Sequence, residues 1–498
     1  MREDGDILLV STYELGHQPF ALAALGSFLE QSGFRPAYVD TSIETLETAA
    51  LARAKLVAIA VPMHTALRLG AQVLARVRES NPRAKAGFFG LYAPLNGDEL
   101  VRLGADFVLG GECEPLVVEI AEALARGDGA ALVRYRQRTA IEAKRTRLDF
   151  PAPSRRSLPA LSRYAKLVDA RGSRIAGHVE ASRGCLHMCR HCPIPPAYKG
   201  RFFVLPEAIV LSDIAAQVES GATHLTFGDP DFLNGPGHSL RIVRKMHEAH
   251  PGLTFDFTAK VEHLLRHRDL LPELRELGLS FVVSAVESLS DVVLSRLAKG
   301  HTSDDVERLF DLMQATTITL RPSFVSFTPW TTLEDYRDVL RFIERRGVID
   351  WIDPIQLAIR LLIPPGSLLL DDAAKSHPSG CSEAAPTGEL SDIRELIGPI
   401  PPETFTHTWM HPDVAMDALH RAVSERIEAD AKANADVTRT FSALWELAEV
   451  EGQPRWRRRE SARLSESWFC CAEPTRDQFA LVETCATRDP SRDSARSG

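Results

Sequence analysis

The stretch ASRGCLHMCRHC places Cys185, Cys189 and Cys192 in a C-x3-C-x2-C pattern. Thiolate is a soft ligand, suited to zinc, copper(I) or iron–sulfur clusters. A closed zinc site takes four ligands, and His187 or His191 inside the same loop would complete a Cys3His set. The spacing, together with a place at the mouth of an expected barrel, points instead to a four-iron–four-sulfur cluster on three cysteines, which leaves one iron open to bind a substrate. A second thiol feature lies far along the chain, where Cys470 and Cys471 are adjacent in SESWFCCAEPTRDQFAL. Such a pair reads as small apolar residues docking a tail, as a redox-active vicinal disulfide, or as a soft-atom site with a third sulfur from Cys485 or Cys381.

These residues need a scaffold. From Asp6 the runs DILLVST, RPAYVDT, AKLVAIAVP, AKAGFFG and DFVLGGE read as buried strands, separated by helical patterns such as LRLGAQVLARVRES. The expectation is an α/β chain opening with a flavodoxin-like doubly wound domain over 1–135, whose ligand crevice lies at the carboxyl ends of its strands. DFPAPSRRSLPALSRY breaks the rhythm, within a linker placed at 136–170. The rhythm restarts in GHVEASRGC, HLTFGDPD, TFDFTAKVEHL, FVVSAVES, TLRPSFVSF and IQLAIRLLIP, six strands of a partial (β/α)6 barrel over 171–365. The cysteine loop follows the first of them, at the strand end where such barrels gather functional groups. A mostly helical C-terminal domain over 366–455 and a tail over 456–498 with the Cys-Cys pair complete the chain.

Composition narrows the function classes. The chain has 498 residues, 44% hydrophobic and 25% charged, and eight cysteines, too few for a disulfide scaffold. Its net charge of −9 comes from mixed signs, so no basic field points to nucleic acid or an anionic membrane. No apolar run approaches the ~20 residues that span a bilayer, and no signal segment opens the chain. A cytoplasmic location is expected.

Over roughly 171–365 the sequence resembles the radical S-adenosylmethionine (SAM) superfamily, through the cysteine loop and the strand ends that surround it. The resemblance implies that Cys185, Cys189 and Cys192 hold the cluster, that the open iron chelates the amino and carboxylate groups of SAM, and that one electron breaks a carbon–sulfur bond. His191 stands where the family often has an aromatic residue. Gly228–Asp229–Pro230–Asp231 stands where the family has a Gly-Gly-Glu-like segment that receives the ammonium group, although an Asp-Pro turn is the plainer reading. Glu287 at the fourth strand end is a candidate for the ribose hydroxyls, and Lys260 and Arg360 at the third and sixth are candidates for a carboxylate, each set against a merely solvated charge.

A flavodoxin-like domain before such a barrel resembles the cobalamin-binding arrangement of many methyltransferases of that superfamily. The Asp-x-His-x-x-Gly pattern that ligates cobalt is missing from TYELGHQPFALAALG, so cobalamin is left open, with His17 and His64 as crevice contacts or structural residues. Gly110–Gly111–Glu112–Cys113–Glu114 resembles the GGEGE turn of those domains. The CCAEP ending, the domain order and RLLIPPGS resemble the radical SAM proteins named for a Cys-Cys-Ala-Glu-Pro tail, a group associated with making the carbon–arsenic bond of arsinothricin. That resemblance implies transfer of the 3-amino-3-carboxypropyl group of SAM to arsenite, with Cys470 and Cys471 holding the arsenic and an electron donor such as flavodoxin or ferredoxin as partner. The rival expectations are a cobalamin-dependent radical methyltransferase and a non-catalytic arsenic or redox sensor. Arg455, Arg457, Arg458 and Arg459, interleaved with Trp456, read as a solvated or salt-bridged hinge rather than an anion site.

Overall fold

The structure, a computed structural model, describes residues 1–136, 138–139, 150–371, 393–459, 461–466 and 473–483. It divides into two compact units. The first comprises Met1–Tyr164, Glu403–Phe405 and the described part of Cys470–Gly498, and the second Ala165–Pro402 and Thr406–Phe469.

The first unit runs β1 (Ile7–Ser11), α1 (Phe20–Gln31), β2 (Pro36–Asp40), α2 (Thr48–Arg53), β3 (Leu56–Ala60), α3 (His64–Ser80), β4 (Lys85–Phe89), α4 (Gly97–Arg102), β5 (Phe107–Gly110), α5 (Glu114–Ala125) and β6 (Arg138–Thr139). Continuous apolar runs such as ILLVS and LVAIA are buried along their whole length, as strands covered on both faces require. All six strands are parallel, in the order β2-β1-β3-β4-β5-β6. The order reverses between β1 and β3, the point at which doubly wound sheets in general take a ligand beyond the carboxyl ends. The five strands expected from sequence are present, extended by the two-residue β6. At the end of β5, Gly111 takes φ +67° and lets the chain turn into α5, which starts at Glu114. Much of the stretch read as a linker packs on this unit: the Ser154 N–H donates to the Ala23 carbonyl at 2.9 Å, and the Tyr164 hydroxyl to Asp40 at 3.0 Å.

The second unit continues with β7 (Lys166–Asp169), β8 (Gly172–Val179), β9 (Ser182–Gly184), α6 (Ile194–Tyr198), β10 (Phe202–Val204), α7 (Glu207–Glu219), β11 (His224–Phe227), α8 (Pro236–Ala249), β12 (Thr254–Thr258), α9 (Val261–Arg266), α10 (Leu271–Glu276), β13 (Leu279–Glu287), α11 (Asp291–Arg296), α12 (Ser303–Thr316), β14 (Thr319–Phe324) and α13 (Leu333–Arg346). Then come α14 (Ile393–Leu396), α15 (Val414–Lys432), α16 (Val437–Leu447) and β15 (Arg463–Leu464), while α17 (Arg476–Glu483) belongs to the first unit. The large sheet has the order β14-β13-β12-β11-β8-β7-β15, parallel from β8 to β14, with β7 and β15 antiparallel at the edge. It is the curled half-barrel of an α/β fold followed by helices. The sixth expected strand is reduced to a parallel bridge between Phe327 and Arg360. Pro354 opens a 3-10 turn there, and Pro364 and Pro365 withhold N–H groups beyond it. The Gln356 side chain takes over one ladder bond, accepting from the Phe324 N–H at 2.9 Å. Among the described residues no helix is long and apolar enough to cross a membrane.

Candidate active site at the cysteine loop

The loop bearing the three cysteines leaves β8 at its carboxyl end and passes through β9, which pairs antiparallel with β10. Cys185 and Cys189 are buried, Cys192 is half-buried, and all three are free thiols. Burial above all pushes the Cys185 thiol up to about 11, helped by the charges of Asp231 and Cys189 and partly opposed by the His187 backbone N–H. Burial, with Cys189 and Cys185, also raises the Cys192 thiol well above its usual range, with Lys299 pulling the other way. Cys185 and Cys192 resist ionising in this setting, and a positively charged soft centre relieves that cost. Asn234 shapes the loop from below, its Oδ1 accepting from the Leu186 N–H at 3.3 Å and lying 3.9 Å from the Cys185 sulfur. Asn234 Nδ2, His191 Nδ1 and His301 Nδ1 are buried without a hydrogen-bond partner. Buried polar atoms left this way mark a place where a ligand completes the bonding.

Glu287 closes one wall. Its Oε1 lies 3.2 Å from His191 Nε2 and 3.1 Å from Lys299 Nζ. Burial opposes its charge, but Lys299 and His191 outweigh it and hold the carboxyl down to about 2. Glu287 also takes φ +67°, a costly conformation for a residue with a side chain, where β13 and β14 lose register. The opposite wall is Asp231, whose Oδ1 caps the Leu233 N–H at 3.0 Å and whose Oδ2 accepts from the Lys260 N–H at 3.2 Å. The same Oδ2 lies 2.9 Å from His263 Nδ1, and His263 Nε2 faces His187 Nε2 at 3.1 Å. Burial and the charges of Lys260, His263, Lys299 and Arg266 push His187 down to about 3. The Lys260 ammonium is 3.6 Å from Glu262.

Sequence reasoning therefore named Cys185, Cys189, Cys192, Asp231, Lys260 and Glu287, and the fold brings them together. Gly228 and Asp229 stand one step back. Asp229, expected to meet an ammonium group, instead accepts from the Ala181 N–H at 2.9 Å and from the Ser182 hydroxyl, clamping the root of the loop. Gly228 is required by packing, since a Cβ there would stand 2.1 Å from His178 Nε2. Arg360 is engaged elsewhere: it donates to Asp417 at 2.8 Å and to the Trp409 carbonyl at 2.6 Å, with its guanidinium 3.5 Å over the Trp409 ring. Lys299, His263, Asn234 and His301 were missed. The signal for Lys299 is the run RLAKGHT, where a lysine closes an apolar helical stripe just before the Thr302 capping box.

Cys470, Cys471, Cys485 and Cys381 lie outside the described residues. In the first unit His64 Nε2 meets Glu473 at 3.1 Å rather than facing an open crevice, and His17 is buried. The arginine run is a salt-bridged hinge: Arg458 binds Asp350 at 2.7 Å and Asp436 at 2.8 Å, and Trp456 packs edge-on to Phe441 and Trp445.

Residues 179–344 match the model of the Radical SAM superfamily, which implies a four-iron–four-sulfur cluster and SAM. Among curated proteins, the ribosomal protein uS12 methylthiotransferase RimO of Cereibacter sphaeroides is 26% identical over 216 residues, 40% of this chain and 44% of that protein. The tRNA-2-methylthio-N(6)-dimethylallyladenosine synthase of Haemophilus influenzae is 24% identical over 200 residues, 38% of this chain and 42% of its own length. The chain thus spans less than half the length of these relatives. Among solved structures, the radical SAM methyltransferase TsrM from Kitasatospora setae, with tryptophan substrate and a SAM analogue bound, superposes with a TM-score of 0.54 at 20% identity, over 68% of this chain and 71% of that one. The cobalamin-dependent SAM radical enzyme OxsB, with aqua-cobalamin and SAM bound, superposes with a TM-score of 0.60 at 14% identity, over 88% and 70%. At these identities the likeness speaks to fold.

Proposed function

With residues 179–344 a radical SAM domain as the premise, we propose that this chain is a cytoplasmic enzyme that opens SAM reductively and transfers its 3-amino-3-carboxypropyl group to trivalent arsenic. One electron breaks the carbon–sulfur bond to that group and methylthioadenosine leaves; the carbon then bonds to arsenic, and a second electron from the flavodoxin- or ferredoxin-type donor, with loss of one hydroxide from arsenite, leaves the arsenic trivalent. The observation that carries the reductive half is the buried loop of Cys185, Cys189 and Cys192 walled by the Glu287–Lys299 pair. Those cysteines are the ligands of the cluster, which when bound supplies the electron that breaks a carbon–sulfur bond.

The other residues hold and aim the nucleotide. Lys260 and Lys299 place positive charge beside the loop, where the SAM carboxylate needs it. Glu287 offers Oε2 to the ribose hydroxyls while Oε1 stays fixed by His191 and Lys299. Asp231 orients His263 and, through Lys260 N–H, sets the turn at the end of β12. Asp229 keeps the root of the loop in place. The arsenic half rests on the Cys-Cys-Ala-Glu-Pro tail, because trivalent arsenic binds thiolates strongly, and it is favoured by the missing cobalt-ligating motif after β1.

A second reading, a cobalamin-dependent methyltransferase, is favoured by the fold likeness to TsrM and OxsB. Anaerobic incubation of the reduced protein with SAM and arsenite separates them. Methylthioadenosine with an arsenic-containing amino acid supports the first reading. S-adenosylhomocysteine from protein purified with cobalamin supports the second, and arsenite binding with no SAM cleavage would make the chain a sensor.

A further inference from the structure

Among the described residues eight large apolar side chains are exposed, and four of them, Leu186, Met188, Phe203 and Val204, fall in or just after the cysteine loop. Single exposed apolar residues are ordinary, but a group of them marks a surface that another molecule covers. Leu186 and Met188 stand between the cysteines, 47% and 37% exposed, while Cys185 and Cys189 beside them are buried. The loop turns its sulfurs inward and these two side chains outward. The turn after α6 lies against it, since a Cβ on Gly200 would stand 3.4 Å from the Met188 sulfur and 3.7 Å from the Leu186 carbonyl oxygen. From that turn β10 carries Phe203, whose ring centroid is 6.2 Å from that of Tyr198, and Tyr198 fills the space a side chain at Gly184 would need. Phe202 faces the other way, against Gly235. Loop, turn and strand therefore share one surface.

The charge of this surface runs against that of the whole. From Ala181 to Pro206 the chain carries Arg183, Arg190, Lys199 and Arg201 and no acidic residue, in a protein of net charge −9. Arg183 is paired with Glu180 at 2.9 Å, while Lys199 and Arg201 stand exposed on either side of Gly200. The nearest acidic side chains are already engaged by cations. Glu207, next along the chain, is held by Lys245 and Arg241, and Glu262, 3.8 Å from His187, by Lys260 and Arg266.

We propose that this apolar face with its basic rim is where an acidic one-electron carrier protein, of the flavodoxin or ferredoxin type, docks to reduce the cluster. The inference rests on the radical SAM reading of the loop, because the cluster is what needs the electron, and it holds whichever group is transferred. Leu186 and Met188 are each one peptide unit from a cysteine, about 3.8 Å between Cα atoms. A carrier seated on them comes close to the cluster without the fold opening. One electron leaves the reduced carrier and enters the cluster, and no bond to the protein forms. A small contact suits such a transient pair, since the oxidised carrier must leave again, and opposite charge speeds the encounter.

SAM consumption by the anaerobically reconstituted full chain tests this, driven in parallel by flavodoxin hydroquinone, by reduced ferredoxin and by dithionite. In the wild type at least one carrier drives the reaction, and the rate saturates with carrier concentration. Changing both Lys199→Glu and Arg201→Glu raises the half-saturating carrier concentration about tenfold at low salt. The gap closes in about 1 M salt, where charges are screened beyond about 3 Å. Phe203→Asp gives a rise of the same sense and serves if the double variant misfolds. Iron content and the dithionite-driven rate stay at the wild-type level in both. A carrier response that the variants leave unchanged overturns the proposal, as does a wild type that neither carrier drives although dithionite does. A loss that dithionite shares also overturns it, by making the face a substrate or folding surface. Iron-loaded wild type that consumes no SAM with dithionite ends the radical SAM reading itself, and this inference with it, so the two failures are told apart.

Discussion

Glu287 shows how much a single side chain is asked to do. It sits in the left-handed region at φ +67°, buried, with His191 and Lys299 on the same oxygen. Lys299 is its main counter-charge, so Lys299→Met leaves the buried carboxylate with His191 alone and should cost about 3 kcal/mol, read from chemical denaturation. Asp229 gives a pH signature of its own. Burial pushes its carboxyl up to about 6 against the pull of Ala181 and Ser182, from an ordinary value of 3.8. The folded state therefore binds the proton more tightly than the unfolded one. That contribution to stability is full below about pH 4 and is lost as pH rises to about 6, up to about 3 kcal/mol. Thermal melts of wild type and Asp229→Asn across this range should show wild type losing stability relative to the variant as pH rises, and a constant difference would refute the assignment. Residue types at strand ends announced Asp229 and Glu287, but not their partners, because which neighbour neutralises a buried charge is decided by tertiary packing.

At the scale of elements, strand β11 must approach β8 closely for its end to reach the loop. The Gly228 N–H donates to the Val179 carbonyl at 2.7 Å, and the missing side chain makes room for His178. Gly228→Ala should force a shift costing about 1–3 kcal/mol, measurable by denaturation, and should lower the iron retained after anaerobic reconstitution. The parallel strands of both units were legible because buried strands leave continuous apolar runs such as LVAIA and FVVSAV. The run IQLAIRLLIP has the same look, yet it forms a bridge, because prolines flank it and Gln356 supplies the ladder from its side chain. Periodicity cannot register a side chain that substitutes for backbone.

At the scale of the whole molecule, the sequence reads as consecutive domains, whereas the chain returns to its first unit through Glu403–Phe405 and α17. Nothing in local pattern announces this: Glu473 looks like an ordinary acidic residue until His64 and Arg68 are seen to hold it. The account stands most directly on the three thiols of the barrel loop. The decisive measurement is the iron and sulfide content of anaerobically reconstituted protein, with the electron paramagnetic resonance spectrum of its reduced form recorded with and without SAM. The account predicts cluster iron that is lost when Cys185, Cys189 and Cys192 are each changed to Ala, and a spectrum that SAM alters. Protein that takes up one zinc and no iron, or a cluster spectrum indifferent to SAM, would contradict it.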